Sequence, residues 1–335
     1  MQVVDSTTAV VAQKRRRTDV VVCATLAVVA VITGAAYLGA ARRAALPFLF
    51  YQAEFGPAVM EACGLGFVNP SADPLSPLGR FLDQQTSRLD CAELGTIVQR
   101  GPFTRLQFSM RYLLLCSAWV WKITGIRWQA LDVIGAVFIA ATVALVYLFY
   151  RLLLPAWLSA GLALIWLTSP VHLYSLTSLR DYAKAPFFVL TVLVVATIVL
   201  RPLTSPRLIG ISAFLGAALG VGFGFRTDVA LNLAPFAVAL MLLEASGVVR
   251  RVGTRAAAFV VCCAMFIVCA RPAFKAYEGG HGLWHVSLLG LMDPFDEPLR
   301  ISPSIYSFGN AYSDHLIETT VSSYASRVQP YGAEP

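Results

Sequence analysis

Apolar residues in this chain fall in long blocks, not in stripes. Val20–Ala41 carries no charge, and neither do Val133–Tyr150, Leu152–Val171, Ala185–Leu200 and Leu208–Phe225. Two shorter blocks follow, Val229–Leu243 and Ala256–Ala270. An amphipathic helix repeats its apolar residues every three or four positions and a half-buried strand every two. A block that is apolar all round has no face to offer water. A bilayer span needs roughly 17–25 residues; the last two blocks reach that length only with flanking Thr, Ser and snorkelling Arg side chains at the interface. The pattern predicts an all-α, polytopic membrane helix bundle of about seven spans. Composition agrees: 57% of residues are hydrophobic and 13% charged, against about 25% charged in a soluble domain.

The basic residues set the orientation. Lys14-Arg15-Arg16-Arg17 precedes the first block, and such runs stay cytoplasmic. A cleaved signal peptide has an apolar region of about 7–15 residues. Here the block runs the length of a span and ends on Arg42-Arg43, so it reads as an uncleaved signal anchor in a plasma membrane, the inner membrane of a bacterium. One further segment, Phe108–Lys122, is interrupted by Arg111. The uncharged remainder, Tyr112–Trp121, covers about 15 Å as a helix, half of a hydrocarbon core, and is expected to lie at the interface. An eighth span there is the alternative. Loop charges divide almost evenly. Arg151, Arg201, Arg207, Arg250, Arg251 and Arg255 fall inside in the seven-span layout and have no acid beside them, as solvated charges do; Lys122, Arg127, Arg180, Lys184 and Arg226 fall outside.

The expected layout is a cytoplasmic tail (1–19), a first span (20–41), an external loop containing the interfacial helix (42–127), six spans (128–271) and an external tail (272–335). A connection above about 12–15 residues is usually functional or disordered, and the apolar and Pro/Gly content of this loop argues for a small folded cap. Cys63 and Cys91 share the loop, where a disulfide is chemically permitted; Cys23, Cys262, Cys263 and Cys269 lie in spans as small apolar residues. The net charge of +7, gathered at cytoplasmic ends and site loops, suits anionic membrane lipids and not nucleic acid.

The charges at the external ends of spans carry the chemistry. Glu54, in Phe50-Tyr51-Gln52-Ala53-Glu54-Phe55, is an acid near the membrane among apolar neighbours and suits a general base for a hydroxyl; a solvated loop acid is the plain alternative. Asp83 and Asp90 read as structural. In Ser178–Pro186, Arg180 and Lys184 are spaced i, i+4, which one helical turn would place on one face, with Asp181 beside them. Charges at a bilayer boundary cost free energy unless they pair or bind something; a lipid phosphate fits, gripped bidentately by Arg and by the point charge of Lys. A self-neutralising turn is the alternative. Arg226 and Asp228 interrupt the apolar blocks again, as a second phosphate ligand or as a mutual pair. His281 and His285 have metal-ligand spacing, but the glycines around them argue against a helix; His172 and His315 stand alone. No Walker loop, serine elbow, GxGxxG or CxxC is present.

The order of these features resembles the seven-helix module of the C-type (GT-C) membrane glycosyltransferases, which include protein O-mannosyltransferases and lipid A aminoarabinose transferases. The resemblance covers roughly 14–271 and lies in order and spacing. Glu54-Phe55-Gly56-Pro57…Gly64-Leu65-Gly66-Phe67 is similar to the family's acidic loop opening with a later Gly. Arg105–Gly125 is similar to its apolar helix ending in a Lys-x-x-Gly turn, and Thr168-Ser169-Pro170 with Asp181 to its second external loop. Gly222–Pro235 resembles its glycine-rich segment, with Arg226 where the family has Lys. Ala53-Glu54 departs from the frequent Asp-Glu pair, Asp228 stands where Pro is common, and the family's further spans and larger external domain do not follow before Pro335, as in an abbreviated copy.

The resemblance implies transfer of a sugar from a polyprenyl-phosphate donor to a hydroxyl of a glycan, lipid or protein acceptor on the external face. In that reading Arg180, Lys184 and Arg226 hold the phosphate and Glu54 takes the acceptor's proton. Asp181 orients a cation or holds a divalent metal, the two being left open. A non-catalytic relative that binds lipid phosphate is a rival. A transporter is another, although its repeated halves and midspan breaks are missing from the sequence.

Overall fold

A computed structural model describes residues 6–46, 48, 50–71, 73–94, 100–243, 245 and 252–274. Nearly all of the expected external tail, including His281, His285 and His315, lies outside the described residues.

The helices follow in chain order: α1 (Ser6–Arg43), α2 (Gly56–Ala62), α3 (Pro77–Leu82), α4 (Arg105–Ser109), α5 (Arg111–Thr124), α6 (Asp132–Tyr150), α7 (Ala156–Leu167), α8 (Pro170–Ser175), α9 (Leu179–Tyr182), α10 (Ala185–Leu200), α11 (Ser205–Phe225), α12 (Leu233–Val238) and α13 (Val252–Phe274). Among the described residues five helical segments are long and apolar enough to cross a membrane: Arg17–Arg43, Trp128–Tyr150, Leu179–Leu200, Ser205–Phe225 and Val252–Phe274. Ala156–Leu167 and Thr227–Leu243 are apolar but shorter. The chain is therefore a multi-pass membrane protein built from helices.

Two blocks depart from the uniform helices expected of them. Leu152–Val171 is helical over α7 and again from Pro170, where α8 begins, because Pro155 sets the start of α7 and Ser169-Pro170 its stop; a residue before proline is pushed out of the helical region. Val229–Leu243 is divided into a 3-10 turn (Thr227–Asn232), α12 and a π-helical stretch (Ala239–Leu243), with Pro235 inside. At the other extreme, α1 starts at Ser6, so the expected tail continues the first helix.

Lipid gives apolar helices no hydrophobic reason to associate, so close packing and polar contacts must hold them. The pair α1/α6 uses ion pairs at both ends. Asp19 accepts from Arg151 Nε at 2.8 Å and from the Tyr147 hydroxyl at 2.7 Å, while Arg42 grips Asp132 through both guanidinium nitrogens. The two helices are antiparallel, and the 23 residues between Asp19 and Arg42 span about 35 Å at 1.5 Å per residue. That slightly exceeds a hydrocarbon core of about 30 Å, so the pairs fall at its two boundaries. Arg151 is thus paired, contrary to its reading as a solvated charge. Arg255 departs from that reading too: it is 1% exposed and donates to the Met241 carbonyl at 3.0 Å. Packing does the work between α11 and α13. A Cβ on Gly216 would lie 2.1 Å from the Cys262 carbonyl oxygen, and one on Gly220 2.5 Å from that of Phe266.

The loop after α1 folds into a cap around Phe50, Phe55, Phe81, Trp121 and Trp128. Phe81 stacks on Trp128 at 4.5 Å with nearly parallel rings, and Phe50 and Phe55 meet Trp128 edge-on. Two short antiparallel ribbons, Asn69–Pro70 with Arg100–Gly101 and Arg88–Leu89 with Ile126–Arg127, tie the loop back on itself, and Cys63 and Cys91 are joined by a disulfide. Helix α5 belongs to this cap. It packs against α2, its Lys122 pairs with Glu61 at 3.1 Å, and it ends at Gly125 with φ +80°. Both ends of α5 meet residues on the Glu54 side of the bundle: Tyr112 donates to the Cys269 carbonyl at 2.5 Å, near the end of α13.

Candidate functional site

Three segments converge where α1 and α13 end and α6 and α10 begin. The first is the turn Tyr51–Phe55. Tyr51 adopts the left-handed conformation (φ +64°), and Gln52–Phe55 forms a 3-10 turn. Phe50 and Phe55 are buried in the aromatic core on either side, and that anchorage holds Tyr51 and Glu54 in place. The second is α9, whose single turn leads through Ala183 and Lys184 into α10. The third is Arg226–Asp228, where α11 gives way to a 3-10 turn.

The charged residues of the last two segments meet. Arg226 pairs with Asp181 through Nη1 and donates from Nε to Asp228 Oδ2 at 2.9 Å. Lys184 donates to the same Asp228 oxygen at 2.9 Å, and Ser178 donates to Asp181 at 2.7 Å. Arg180 takes another course. Its guanidinium lies 4.4 Å over the Tyr51 ring, a cation–π contact that links α9 to the Glu54 turn. The residue is 9% exposed, its Nε is buried without a hydrogen-bond partner, and it forms no ion pair among the described residues. Lys184 and Arg226 are thus matched by Asp181 and Asp228, and Arg180 is the cation of the three that has no carboxylate partner among the described residues. Arg180 and Lys184 do reach one cluster, by different contacts and from the two sides of a helix boundary. All five residues named from the two span-end motifs come together.

Glu54 stands at the edge of this cluster, three residues from Tyr51. Its Oε2 accepts from the Thr104 hydroxyl at 2.6 Å. Thr104 is the N-cap of α4 and forms a reciprocal capping box with Gln107, whose amide in turn donates to Asn69 at 2.7 Å. The carboxylate is therefore aimed by a hydroxyl that is itself fixed. Thr104 has no place among the candidates from sequence, although Thr104-Arg105-Leu106-Gln107 is a legible capping signature. Arg111 is a second unanticipated feature: its guanidinium rests 4.8 Å over Phe67, and its Nε is buried without a partner.

Asp90 is structural as expected, accepting from the Ala92 amide at 3.0 Å. Asp83 is the C-cap of α3, its backbone N–H donating to the Gly79 carbonyl at 2.9 Å. It lines a cavity with Tyr51, Gln52, Gln84 and Asp181. His172 is buried against Trp166 and lies 3.3 Å from the Tyr182 hydroxyl, and burial lowers its pKa to about 4; a neutral core imidazole results. Among the described residues no three His, Cys, Asp or Glu side chains gather as a metal-ligand set. Asp181 and Asp228 are both engaged by Arg226.

No protein-family model, no curated protein and no solved structure matches this chain significantly.

Proposed function

We propose that the chain is a membrane glycosyltransferase that moves a sugar from a polyprenyl-phosphate donor to an acceptor hydroxyl on the external face. The observation that carries this reading is the largely buried Arg180, without a carboxylate partner among the described residues and stacked on the turn that holds Glu54. A buried guanidinium without a carboxylate is costly, and a phosphate relieves that cost.

In the reaction, Arg180, Lys184 and Arg226 hold the donor phosphate. Glu54 takes the proton of the acceptor hydroxyl while its oxygen attacks the anomeric carbon. The bond from that carbon to the phosphate oxygen breaks, the configuration inverts, and the charge left on the lipid phosphate meets the preorganised cations. The acceptor is a glycan, a lipid or a protein. The Cys63–Cys91 disulfide supports an external cap, because disulfides persist in oxidising compartments. The Lys14–Arg17 run supports a cytoplasmic N-terminus in a bacterial inner membrane.

The test is transfer from radiolabelled polyprenyl-phosphate sugars in membranes that contain the full chain. Glu54→Gln is expected to lower transfer by about 10²–10⁴-fold, the range of a general base, while binding of farnesyl phosphate persists. Phosphate binding that survives with no transfer by the parent chain, across neutral hexose and pentose donors, would instead assign a non-catalytic lipid-phosphate binder.

A further inference from the structure

Helix α5 is apolar on two sides, and the cap uses one of them. Leu113, Leu114, Ser117, Ala118 and Trp121 form a buried stripe, with Trp121 set among the rings of Phe55, Phe81 and Trp128. A second stripe passes through Arg111, Leu115, Trp119 and Ile123, each four residues from the last. With 3.6 residues per turn, the two stripes are centred about 150° apart around the helix. Trp119 is 64% and Ile123 83% exposed, and Leu115 is partly exposed. Such side chains on a helix that the cap already covers from the other side call for a second apolar neighbour.

The contacts at the two ends of α5 set its level against the bilayer. The Tyr112 ring fills the space that a side chain at Gly224, in the last turn of α11, would need. Its hydroxyl donates to the Cys269 carbonyl near the end of α13. Beyond Gly125, a two-residue strand and one 3-10 turn lead to Asp132, which opens α6 and pairs with Arg42 at the edge of the hydrocarbon core. Helix α5 therefore lies along that edge, with its second stripe turned away from the cap. The stripe is continuous with the outward faces of the spans: Ile267 and Val268, just before Cys269, are 55% and 66% exposed. Lipid covers those faces, and the same lipid reaches α5.

Arg111 supplies charge at this level. It is partly exposed, its guanidinium rests 4.8 Å over the Phe67 ring, and its Nε is buried without a hydrogen-bond partner. No carboxylate pairs with it among the described residues. A ring face satisfies none of the in-plane N–H donors of a guanidinium, whereas a phosphate takes two of them at once. Lys122, paired with Glu61, also lies 5.5 Å over the Trp119 ring. An indole and long cations beside apolar side chains are the chemistry of a membrane interface. We infer that α5 is a phospholipid-docking helix: Arg111 binds a head-group phosphate of the cap-side leaflet, and Leu115, Trp119 and Ile123 enter the acyl layer. An uncompensated cation near the surface favours a lipid of net negative charge over a zwitterionic one by about fivefold. None of these residues belongs to the Glu54–Arg180 site, so the docking stands apart from the proposed transfer.

The experiment reads Trp119 in vesicles that contain the full chain. Its fluorescence is the difference between the parent chain and Trp119→Phe, which cancels the other tryptophans. Phosphatidylcholine brominated near the head group is expected to quench it more than phosphatidylcholine brominated near the chain ends, as for a side chain about 5–10 Å deep. Brominated phosphatidylglycerol, as a minor component in unlabelled phosphatidylcholine, should associate with the Trp119 site about fivefold more strongly than brominated phosphatidylcholine at the same fraction. Arg111→Gln is expected to bring the two lipids to within about 1.5-fold of each other, and Arg111→Lys, which keeps the charge, to retain most of the preference. Arg180→Gln should leave the preference unchanged, which separates this lipid from any held at the cation cluster. Inorganic phosphate, compared with chloride at equal ionic strength, should not alter the preference; its loss there would assign a site for free phosphate and overturn the lipid assignment. The parent chain alone also decides: stronger quenching from the chain ends, or equal association of the two head groups, overturns the inference. A preference that Arg111→Gln retains does the same.

Discussion

At the scale of single residues, the candidate base is held by a side chain that also starts a helix. The Thr104 hydroxyl accepts from the Gln107 amide at 3.1 Å and donates to Glu54 at 2.6 Å, so one oxygen caps α4 and aims the carboxylate. Hydrogen bonds to charged groups contribute about 1.5–3 kcal/mol, and loss of a cap costs about 0.5–2 kcal/mol. Thr104→Val removes both. In the proposed transfer it is expected to lower kcat by about 10–100-fold with little change in KM, because it misaims the base without touching the donor phosphate. Thr104→Ser keeps the oxygen and should restore most of the rate. A loss of stability with kcat intact would leave Thr104 as a cap only. Glu54 is singled out by its place in the sequence, but Thr104 is not recognisable there as its hydrogen-bond partner, since 50 residues separate them and only the folded cap brings them together.

At the scale of elements, what the sequence disclosed and what it concealed have one physical origin. Uninterrupted apolar blocks announce themselves, so α1, α6, α10, α11 and α13 were legible. The short length of α5 was legible too, because Arg111 limits it. The break after α7 falls inside a block that stays uncharged through Val171, so the block alone does not place it, although Thr168-Ser169-Pro170 carries a loop resemblance, and the π stretch at Ala239–Leu243 has no marker at all. Long-range ion pairs were also concealed. Arg151 finds Asp19 across 132 positions, and no local spacing records that. The glycines of α11 show what an element needs from its neighbour. Gly216→Ala places a methyl group against the α13 backbone at Cys262, where no side chain can swing away; the helices must separate. A loss of about 1–3 kcal/mol is expected, the usual cost of overpacking. Gly210→Ala meets nothing within 4 Å and should be neutral or slightly stabilising. Thermal unfolding of the two variants in one detergent checks the contrast, and equal effects would show that α11 and α13 do not pack as described.

For the membrane-embedded unit as a whole, the decisive quantity is sidedness. Tyr51 touches Arg180, and Asp181 pairs with Arg226, so the Glu54 turn, the α9 turn and the end of α11 share one end of the bundle. An eighth span at Tyr112–Trp121 would separate Glu54 from both cation motifs by a bilayer, and these contacts could not form. Orientation then follows from a labelling experiment. The five free cysteines, Cys23, Cys116, Cys262, Cys263 and Cys269, are replaced by alanine, and the Cys63–Cys91 disulfide is kept because bonded sulfur does not react with maleimide. Single cysteines are placed at Gln85 in the cap, at Thr168 after α7, at Thr227 after α11, and at Thr204 before α11, which lies at the opposite end of that helix. With an external site, an impermeant maleimide should label the first three in intact cells and Thr204→Cys only after lysis. The inverse pattern would put the disulfide and the cation cluster in the reducing cytoplasm and end the external-transfer proposal. Labelling of Gln85→Cys and Thr227→Cys from opposite sides would contradict the shared end itself, because no rigid rotation of the bundle moves Arg226 across the bilayer while Asp181 and Tyr51 stay with the cap.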